Sequence, residues 1–238
     1  MARTDSSVPR PGPRKKGSPT PADGSRVSAT IQNLLDTAEQ LFADKGVDHV
    51  SLRQIVQASE QKNAAALQYH FGSRAQLVTE VLQRRRAHVN TTRHAYLDAL
   101  EHTGAPMTVR DVIGASTHAL SDTVVDTPWG WRYVSILEQT TSSPQLRADG
   151  VTLTEISGVK RAHMLIARAL PELPLVTLQR RQAWFSQTVV YSLGHWIRTH
   201  EPGSWQGYAA YVEDLVDYCV GGLQAPMRDP GLPIPPPD

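Results

Sequence analysis

Apolar side chains recur every three or four residues along most of this chain, a spacing that places them on one face of an α-helix. The first such stretch starts at Ser28 and stops at Gly46, a residue type that commonly ends helices. Its apolar positions are Ile31, Leu34, Leu35, Ala38, Leu41 and Phe42. Because the same spacing returns in the later segments, we predict an all-α protein.

Two shorter helices are predicted after the first. Ser51 opens a capping-box sequence, which starts the second helix. Asn63 is a good N-cap for a third helix, on which Leu67 and Phe71 form the buried side. Two short helices joined by a tight link and braced by a longer one are the layout of a helix-turn-helix. We therefore predict an amino-terminal three-helix domain of this type at residues 28–74.

A fourth and much longer helix is predicted to start at Ser73, where Gln76 repeats the capping-box spacing, and to run through Leu100. It crosses from the helix-turn-helix domain into the rest of the chain. The run Arg84-Arg85-Arg86 on this helix is predicted to be a solvated face, with a phosphate contact as the other interpretation. A rigid helix that spans both domains would carry a shift in one domain to the other.

Residues 75–225 are predicted to form a larger helical domain for effector binding and dimerisation. Helices are expected after Thr108, after Pro128 and from about Val151 to Leu170. Two long helices close the domain, and each has a wide apolar face. Since these faces exceed what one partner layer needs, part of them is expected to meet a second copy of the chain.

Both ends of the chain are rich in proline and poor in large apolar side chains. Residues 1–27 and 226–238 are therefore predicted to be a disordered basic arm and a disordered tail. Residues 1–90 hold 13 Lys and Arg against 8 Asp and Glu, while the rest holds 11 against 15. The amino-terminal third thus suits a polyanion, and the arm either follows phosphates or is a solvated leader.

The cysteine content and the lengths of the apolar runs limit where the protein works. Cys219 is the only cysteine, which excludes an intramolecular disulfide. No run is long and apolar enough for a signal peptide or a membrane span. We expect a cytoplasmic protein with no membrane partner.

The segment from Ser28 to Leu77 resembles the amino-terminal domain of the TetR family of transcriptional regulators. The run Tyr69-His70-Phe71-Gly72-Ser73-Arg74, at the end of the third helix, carries the resemblance most specifically. Within the family, Asn63 to Gly72 is closest to a subgroup with asparagine, small residues, leucine, glutamine and the same aromatic run. The turn departs from the family pattern, because Ser59 to Lys62 lacks the usual glycine and is one residue longer than in most members.

The resemblance implies a homodimer that binds a palindromic double-stranded DNA operator and responds to a small-molecule effector. Position by position, it implies phosphate contacts from Ser51, Arg53, Tyr69, His70 and Arg74, and base contacts from Lys62, Asn63, Ala65 and Gln68. The chemistry agrees with this division. Amide side chains can pair with adenine, lysine can donate to guanine, and an alanine methyl can meet the thymine methyl.

Other chemistry is weakly indicated. We find no metal-binding histidine spacing, phosphate-binding glycine loop or nucleophile elbow, so we expect no metal, no cofactor and no enzyme activity. A ligand pocket in the body is more plausible, since several of its side chains combine apolar bulk with polar tips. These candidates are His118, Trp131, Tyr133, Met164, Trp184, Tyr191, His195 and Trp196, with ordinary core or interface packing as the other interpretation.

Two hypotheses follow. The favoured one is a homodimeric, sequence-specific transcriptional regulator, in most such proteins a repressor, whose effector shifts the spacing of its two recognition helices. The alternative is a helical small-molecule-binding or enzymatic protein whose helix-turn-helix has lost its DNA role. The absent turn glycine is the best support for the alternative.

Overall fold

Helices form the whole of the described fold. The computed structural model describes residues 21–59, 71–153, 156–201 and 203–227, with side chains from residue 29 onward. Within these ranges there are nine α-helices and no strand, which confirms the all-α prediction. The helices are α1 (Pro21–Lys45), α2 (Leu52–Ala58), α3 (Arg74–His102), α4 (Val109–Asp126), α5 (Gly130–Ser142), α6 (Pro144–Ala148), α7 (Ser157–Ala169), α8 (Leu175–Thr199) and α9 (Tyr208–Gln224).

The amino-terminal helices follow their sequence signals closely. Helix α1 starts at Pro21, earlier than the predicted Ser28, and proline suits a first helical turn because its missing N–H would have no partner there. The helix ends before Gly46, whose φ of 91° favours glycine. A 3₁₀ turn at Val47–His49 leads into α2, where Ser51 forms the predicted capping box with Gln54.

Helix α3 belongs to both halves of the molecule. At its start, Leu77 and Val81 are buried in the same core as Phe42 of α1. Further along, Leu97 is buried against the body helices α4 and α7. The predicted crossing helix is therefore present.

The arginine run on α3 does not form the solvated face predicted from the sequence. Arg84 and Arg85 both bind the carboxylate of Glu39 on α1, which is 2% exposed. Arg84 also donates to Asp36 at 2.6 Å. Arg86, one residue on, is buried in the body. A buried carboxylate on the facing helix, invisible in a single-helix pattern, turns this run inward.

In the body, α4 packs against α3, α5, α7 and α9, while α5 packs against α8. The region predicted as one helix from Val151 is shorter, because α6 ends at Ala148 and α7 starts only at Ser157. Gly150, with a φ of 95°, ends the α6 turn. Within the described ranges, none of the helices has the length and apolar character needed to cross a membrane.

Helix α5 links the helix-turn-helix domain to the body. It packs against α1 on one side and α8 on the other. The backbone N–H of the buried Val47 donates to the side-chain oxygen of Gln139, at 2.8 Å. At the next position toward the amino terminus, Glu138 pairs with Arg198 of α8 at 2.5 Å. A Cβ at Gly194 would lie 2.7 Å from Glu138 Cγ, so α5 and α8 approach too closely for any side chain there.

Glu39→Gln is expected to lower the free energy of unfolding by about 2 kcal/mol, because it leaves two guanidinium groups without their buried counter-charge. The control is Asp36→Asn, since Asp36 binds the same arginines with a side chain that is 65% exposed. That change is expected to cost less than about 0.5 kcal/mol. Urea unfolding at a fixed protein concentration measures both, and equal losses would contradict the assigned role of Glu39.

Candidate functional site

The start of α2 carries two of the residues predicted to contact DNA phosphates. Ser51 is exposed, and its Oγ accepts the N–H of Gln54 at 3.3 Å while donating to the Gln54 side chain at 2.8 Å. Arg53 is exposed on the first turn. Among the described residues it has no hydrogen bond or ion pair, so its guanidinium is available to a phosphate.

Arg74, the third of these residues within the described ranges, has structural partners. Its Nη1 donates to the carbonyl oxygens of Val47 and Asp48, both at 3.1 Å, and its Nη2 lies 3.4 Å from the Asp48 carboxylate. The side chain thus ties the start of α3 to the turn after α1. It remains 30% exposed, so part of its charge faces solvent.

The rest of the predicted DNA contacts lie in residues 60–70, outside the part of the chain that the structure describes. They are Lys62, Asn63, Ala65, Gln68, Tyr69 and His70. Phe71, the predicted anchor that follows them, is buried in the helix-turn-helix core. The roles of these six residues stay predictions.

A cavity of about 190 Å³ lies inside the body. It is lined by α3, α4, α5, α7 and α8 together with the segment that leads into α7. Most of its wall is apolar, formed by Val89, Leu120, Leu137, Leu153, Ile156, Val159, Phe185, Val189 and Val190. Its polar wall consists of Arg86, Asn90, Arg93, Ser116, Tyr133, Thr141, Ser186 and Gln187. Such a cavity suits a small molecule that has both an apolar and a polar part.

The cationic end of the cavity is set by α3. Arg93 is buried, and its Nε and Nη2 both lie 3.4 Å from the backbone oxygen of Ser116 on α4. Desolvation by burial lowers its pKa to about 10, with the charge of Arg86 adding to the effect. Burial and, after it, the Arg93 charge also lower the pKa of His163, whose Nε2 lies 3.1 Å from Ser186 Oγ on the cavity wall.

Only Tyr133 among the eight predicted ligand residues lines this cavity. Trp131 and Trp196 border a separate small cleft that also includes Trp205. Trp184 and Tyr191 of α8 are more than half exposed. The three others, Met164, His195 and His118, lie at the surface or half-buried. The structure therefore does not bring the predicted set together around one ligand.

His118 instead joins α4 to α9. Its Nε2 lies 3.0 Å from Glu213 of α9, and its Nδ1 lies 3.5 Å from Asp122, one turn on. Asp122 also accepts a hydrogen bond from Tyr96 at 2.7 Å. The hydrogen bond to Asp122 is the largest cause that raises the pKa of His118. The Asp122 charge, the hydrogen bond to Glu213 and the Glu213 charge add to the rise, while partial burial opposes it.

An exposed aromatic face runs along the two closing helices. Trp184 and Tyr191 project from α8, and Tyr218 of α9 is 71% exposed. Tyr191 and Tyr218 border the same open surface depression, and Trp184 and Tyr218 border a second one beside it. We call this surface, defined by Trp184, Tyr191 and Tyr218, the α8–α9 face. Exposed apolar surface of this kind marks an interaction site.

The sequence contains a signal for the cavity that the spacing of apolar residues alone does not reveal. Arg86 and Arg93 fall on the apolar stripe of α3, at helical spacing from the buried Leu82, Val89 and Leu97. Charged residues on a buried stripe need a partner from elsewhere.

Within the described ranges, no cluster of three or more His, Cys, Asp or Glu is arranged to hold a metal ion.

Two family models match the chain. A model described as bacterial regulatory proteins of the tetR family matches residues 34–81, which cover most of α1, all of α2 and the start of α3. A model described as a tetracyclin repressor-like C-terminal domain matches residues 114–222, which hold most of the body. No curated protein matches the sequence.

Solved structures share the fold. A protein from Shewanella sp. PV-4 is 15% identical, with 81% of this chain and 96% of that chain covered and a TM-score of 0.60. NalD, the secondary repressor of the MexAB-OprM multidrug efflux pump in Pseudomonas aeruginosa, is 21% identical over 83% and 96% of the chains, with a TM-score of 0.54. The fatty acid degradation regulator FadR from Bacillus halodurans is 11% identical over 82% and 100%, with a TM-score of 0.56.

His118→Gln is expected to destabilise the protein in acid but not in alkali. Because the folded pKa of His118 is raised, its contribution is fully present below the unfolded pKa and is lost as the pH rises through the folded pKa. We expect a loss of about 0.5 kcal/mol at pH 5.5, typical of a half-exposed pair, and none at pH 9. Urea unfolding at both pH values measures it.

The matched control is His102→Gln, whose Nδ1 lies 2.6 Å from the Asp98 carbonyl oxygen on its own helix. The role given to His118 is contradicted if its substitution costs the same at both pH values, or costs more at pH 9.

Proposed function

Because this chain belongs to the TetR family of bacterial regulatory proteins, and so is a DNA-binding regulator of transcription, we propose that it is a homodimeric repressor released from its operator by a small-molecule effector. The observation that carries the proposal is the sharing of two helices between the cavity and the helix-turn-helix domain. These are α3 and α5.

Helix α3 provides one connection. Arg86 and Arg93 line the cavity. Arg84 and Arg85, just before Arg86 and about two turns before Arg93, hold Glu39 of α1. The start of the same helix is fixed to the turn after α1 by Arg74. A ligand that moves α3 in the cavity therefore moves the helix-turn-helix domain with it.

Helix α5 provides the other connection. Tyr133 and Leu137 line the cavity, and Gln139, half a turn on from Leu137, accepts the N–H of Val47. Effector binding would favour one arrangement of these contacts over another, and so change the distance between the two recognition helices of a dimer. Such a shift needs a differential affinity of the effector for the two arrangements, typically about 1–3 kcal/mol.

The dimer is proposed to form through the α8–α9 face. Trp184, Tyr191 and Tyr218 supply exposed aromatic surface of the composition typical of protein interfaces. A two-fold contact between the same faces of two copies would form a four-helix layer and leave both helix-turn-helix domains free for successive major grooves. NalD is named as a repressor, and we propose that this chain also represses transcription.

On DNA, Arg53 and Ser51 are proposed to contact phosphates from the start of α2, together with Tyr69, His70 and the exposed part of Arg74. Lys62, Asn63, Ala65 and Gln68 are proposed to read bases. The subgroup-like run from Asn63 to Gly72 supports this assignment, because its amide side chains can pair bidentately with adenine.

The first test of this function concerns the operator. Selection from random DNA is expected to yield a palindrome bound by two chains, with half-sites about one helical turn or a multiple apart. Gln68→Ala is expected to relax base preference at one position of each half-site by about 1–3 kcal/mol. Arg53→Ala is expected to weaken all sequences alike and to reduce the salt slope, since it removes a phosphate contact. Fluorescence anisotropy across a salt series measures both effects.

A protein that binds no DNA in a sequence-preferring and salt-sensitive way would contradict the proposal. Retention of a small molecule or substrate turnover under those conditions would favour the alternative, a helical binding protein or enzyme with a vestigial helix-turn-helix. A Gln68→Ala protein with unchanged preference would move base reading to the other three residues.

The second test concerns the α5 link. Gln139→Ala removes the acceptor of the buried Val47 N–H. Loss of this hydrogen bond is expected to destabilise the DNA-binding arrangement of the body and the helix-turn-helix domain by about 1 kcal/mol. Operator affinity is expected to fall about fivefold, and exchange of the Val47 amide hydrogen to accelerate. The control is Gln145→Ala, because among the described residues the Gln145 side chain bonds only that of Asp149, in its own short segment, at 2.7 Å. Faster Val47 exchange without any loss of operator affinity would contradict the link.

A further inference from the structure

Arg93 is a buried cation that has no counter-ion among the described residues. It is 6% exposed, and its hydrogen bonds within the described ranges go only to the Ser116 carbonyl oxygen, at 3.4 Å. That distance is at the weak end for N–H···O bonds. Its Nη1 donates to no acceptor among the described residues, and none of their carboxylates lies within ion-pair distance of the side chain.

Other charged groups at comparable sites in this protein are paired. Glu39 binds two arginines, and Glu138 binds Arg198 at 2.5 Å. Arg161 of α7 binds Asp98 and Glu101 of α3 at 2.7 and 2.6 Å. Burying a charge is costly unless it is paired and hydrogen-bonded. Arg93 departs from the pattern that the fold applies elsewhere.

The group stays charged despite its burial. Desolvation lowers the pKa of Arg93 to about 10, which still leaves a guanidinium ion at neutral pH. A second guanidinium, that of Arg86, also lines the cavity and acts on Arg93 through its charge. Within the part of the chain that the structure describes, the cavity wall contains no Asp or Glu. Arg93 therefore places a buried positive charge at the polar end of the cavity.

The opposite walls are apolar. Leu120, Leu137, Phe185 and Val189 line the same cavity and offer no charge to a ligand. A ligand that fits must therefore combine one compact anionic group with an apolar body. A carboxylate matches the planar fork of a guanidinium, which can donate to both carboxylate oxygens at once.

We propose that the effector is a small organic acid whose carboxylate pairs with Arg93 and whose apolar body packs against Leu137, Phe185 and Val189. This inference rests on the proposed function, since it names the chemical class of the effector that acts at the same cavity. The acid supplies the counter-ion that the described residues do not provide. It also binds directly to α3, the helix that continues into the helix-turn-helix domain.

The test uses the full-length protein without DNA and isothermal titration calorimetry. The probes are octanoate and 4-phenylbutyrate, each compared with its neutral amide, octanamide and 4-phenylbutanamide. Each acid and its amide have nearly the same shape and differ in charge. We expect at least one acid to bind at least tenfold more tightly than its amide, because only the acid pairs with the buried guanidinium.

Arg93→Met, which keeps an unbranched apolar side chain, is expected to abolish the preference for acid over amide and to leave the melting temperature unchanged or higher. The higher value follows because an unpaired buried charge has been removed. Arg168→Met, a change of the same type at an exposed position on α7, is expected to keep the preference. The comparison of acid with amide on the unaltered protein does not depend on any variant folding.

A further control addresses the chain's own acids. Glu155 is next in sequence to Ile156 of the cavity wall and lies outside the described residues. We expect Glu155→Gln to leave the acid-to-amide ratio within about threefold of the unaltered protein, a difference below the tenfold step of 1.4 kcal/mol. A tenfold rise would show that Glu155 already pairs with the guanidinium, and would overturn the claim that Arg93 lacks a counter-ion.

The proposal is overturned if neither acid binds at its solubility limit, if the amides bind as tightly as the acids, or if Arg93→Met keeps the preference. The fate of the proposed function is decided separately, by operator binding of the same preparation. Acid binding without any operator binding would contradict the repressor function alone. Operator binding without acid preference would contradict the anion site alone.

Discussion

The molecule depends on one helix being buried in two places. Helix α3 has 29 residues, which at 1.5 Å per residue gives a length of about 43 Å, and it contributes to the core of the helix-turn-helix domain and to that of the body. A helix buried at both ends cannot shift in one domain without disturbing the other. Its inward-facing charges must also find partners at each level, and they do so with Glu39 at one level and with a backbone carbonyl at the other.

This constraint explains why the charged contacts of α3 lie where the helix connects the body with the helix-turn-helix domain. Close to the helix-turn-helix domain, two arginines of α3 share one buried carboxylate, a contact that is strong because removing either side leaves an unpaired charge. Two turns further on, Arg93 has only weak partners. The part of α3 that holds Arg84 and Arg85 is thus bound to α1 by ion pairs. Arg93, two turns further along α3, has no ion pair among the described residues.

Local signals in the sequence predicted the local structure well. The capping box at Ser51, the helix start after Thr108 and the stop at Gly46 all lie where the side chains suggested, because each depends on residues within a few positions of one another. The all-α fold and the long crossing helix followed from apolar spacing alone. The family resemblance in the helix-turn-helix region agrees with the matched family models.

Contacts between distant elements could not be predicted in the same way. The spacing of Trp184 and Tyr191 shows that both lie on α8, but it does not show that they face outward. Likewise, nothing within α3 shows that Arg84 meets Glu39 or that Arg93 reaches a cavity, since the facing residues are many positions away in the chain. The sequence alone therefore does not predict the cavity, although it shows charged residues on an apolar stripe.

The close approach at Gly194 has a consequence for how this protein can vary. Because Glu138 packs directly on the bare backbone of α8, a side chain at position 194 would push α5 away from α8. Gln139, the next residue on α5, would carry that displacement to Val47 beside the helix-turn-helix domain. Replacing Gly194 by alanine adds one methyl group, far from any surface proposed to meet DNA. It would change how the helix-turn-helix domain lies relative to the body when no effector is bound. Loss of regulation in such a mutant would arise in the α5 connection between the cavity and the helix-turn-helix domain, with both binding sites intact.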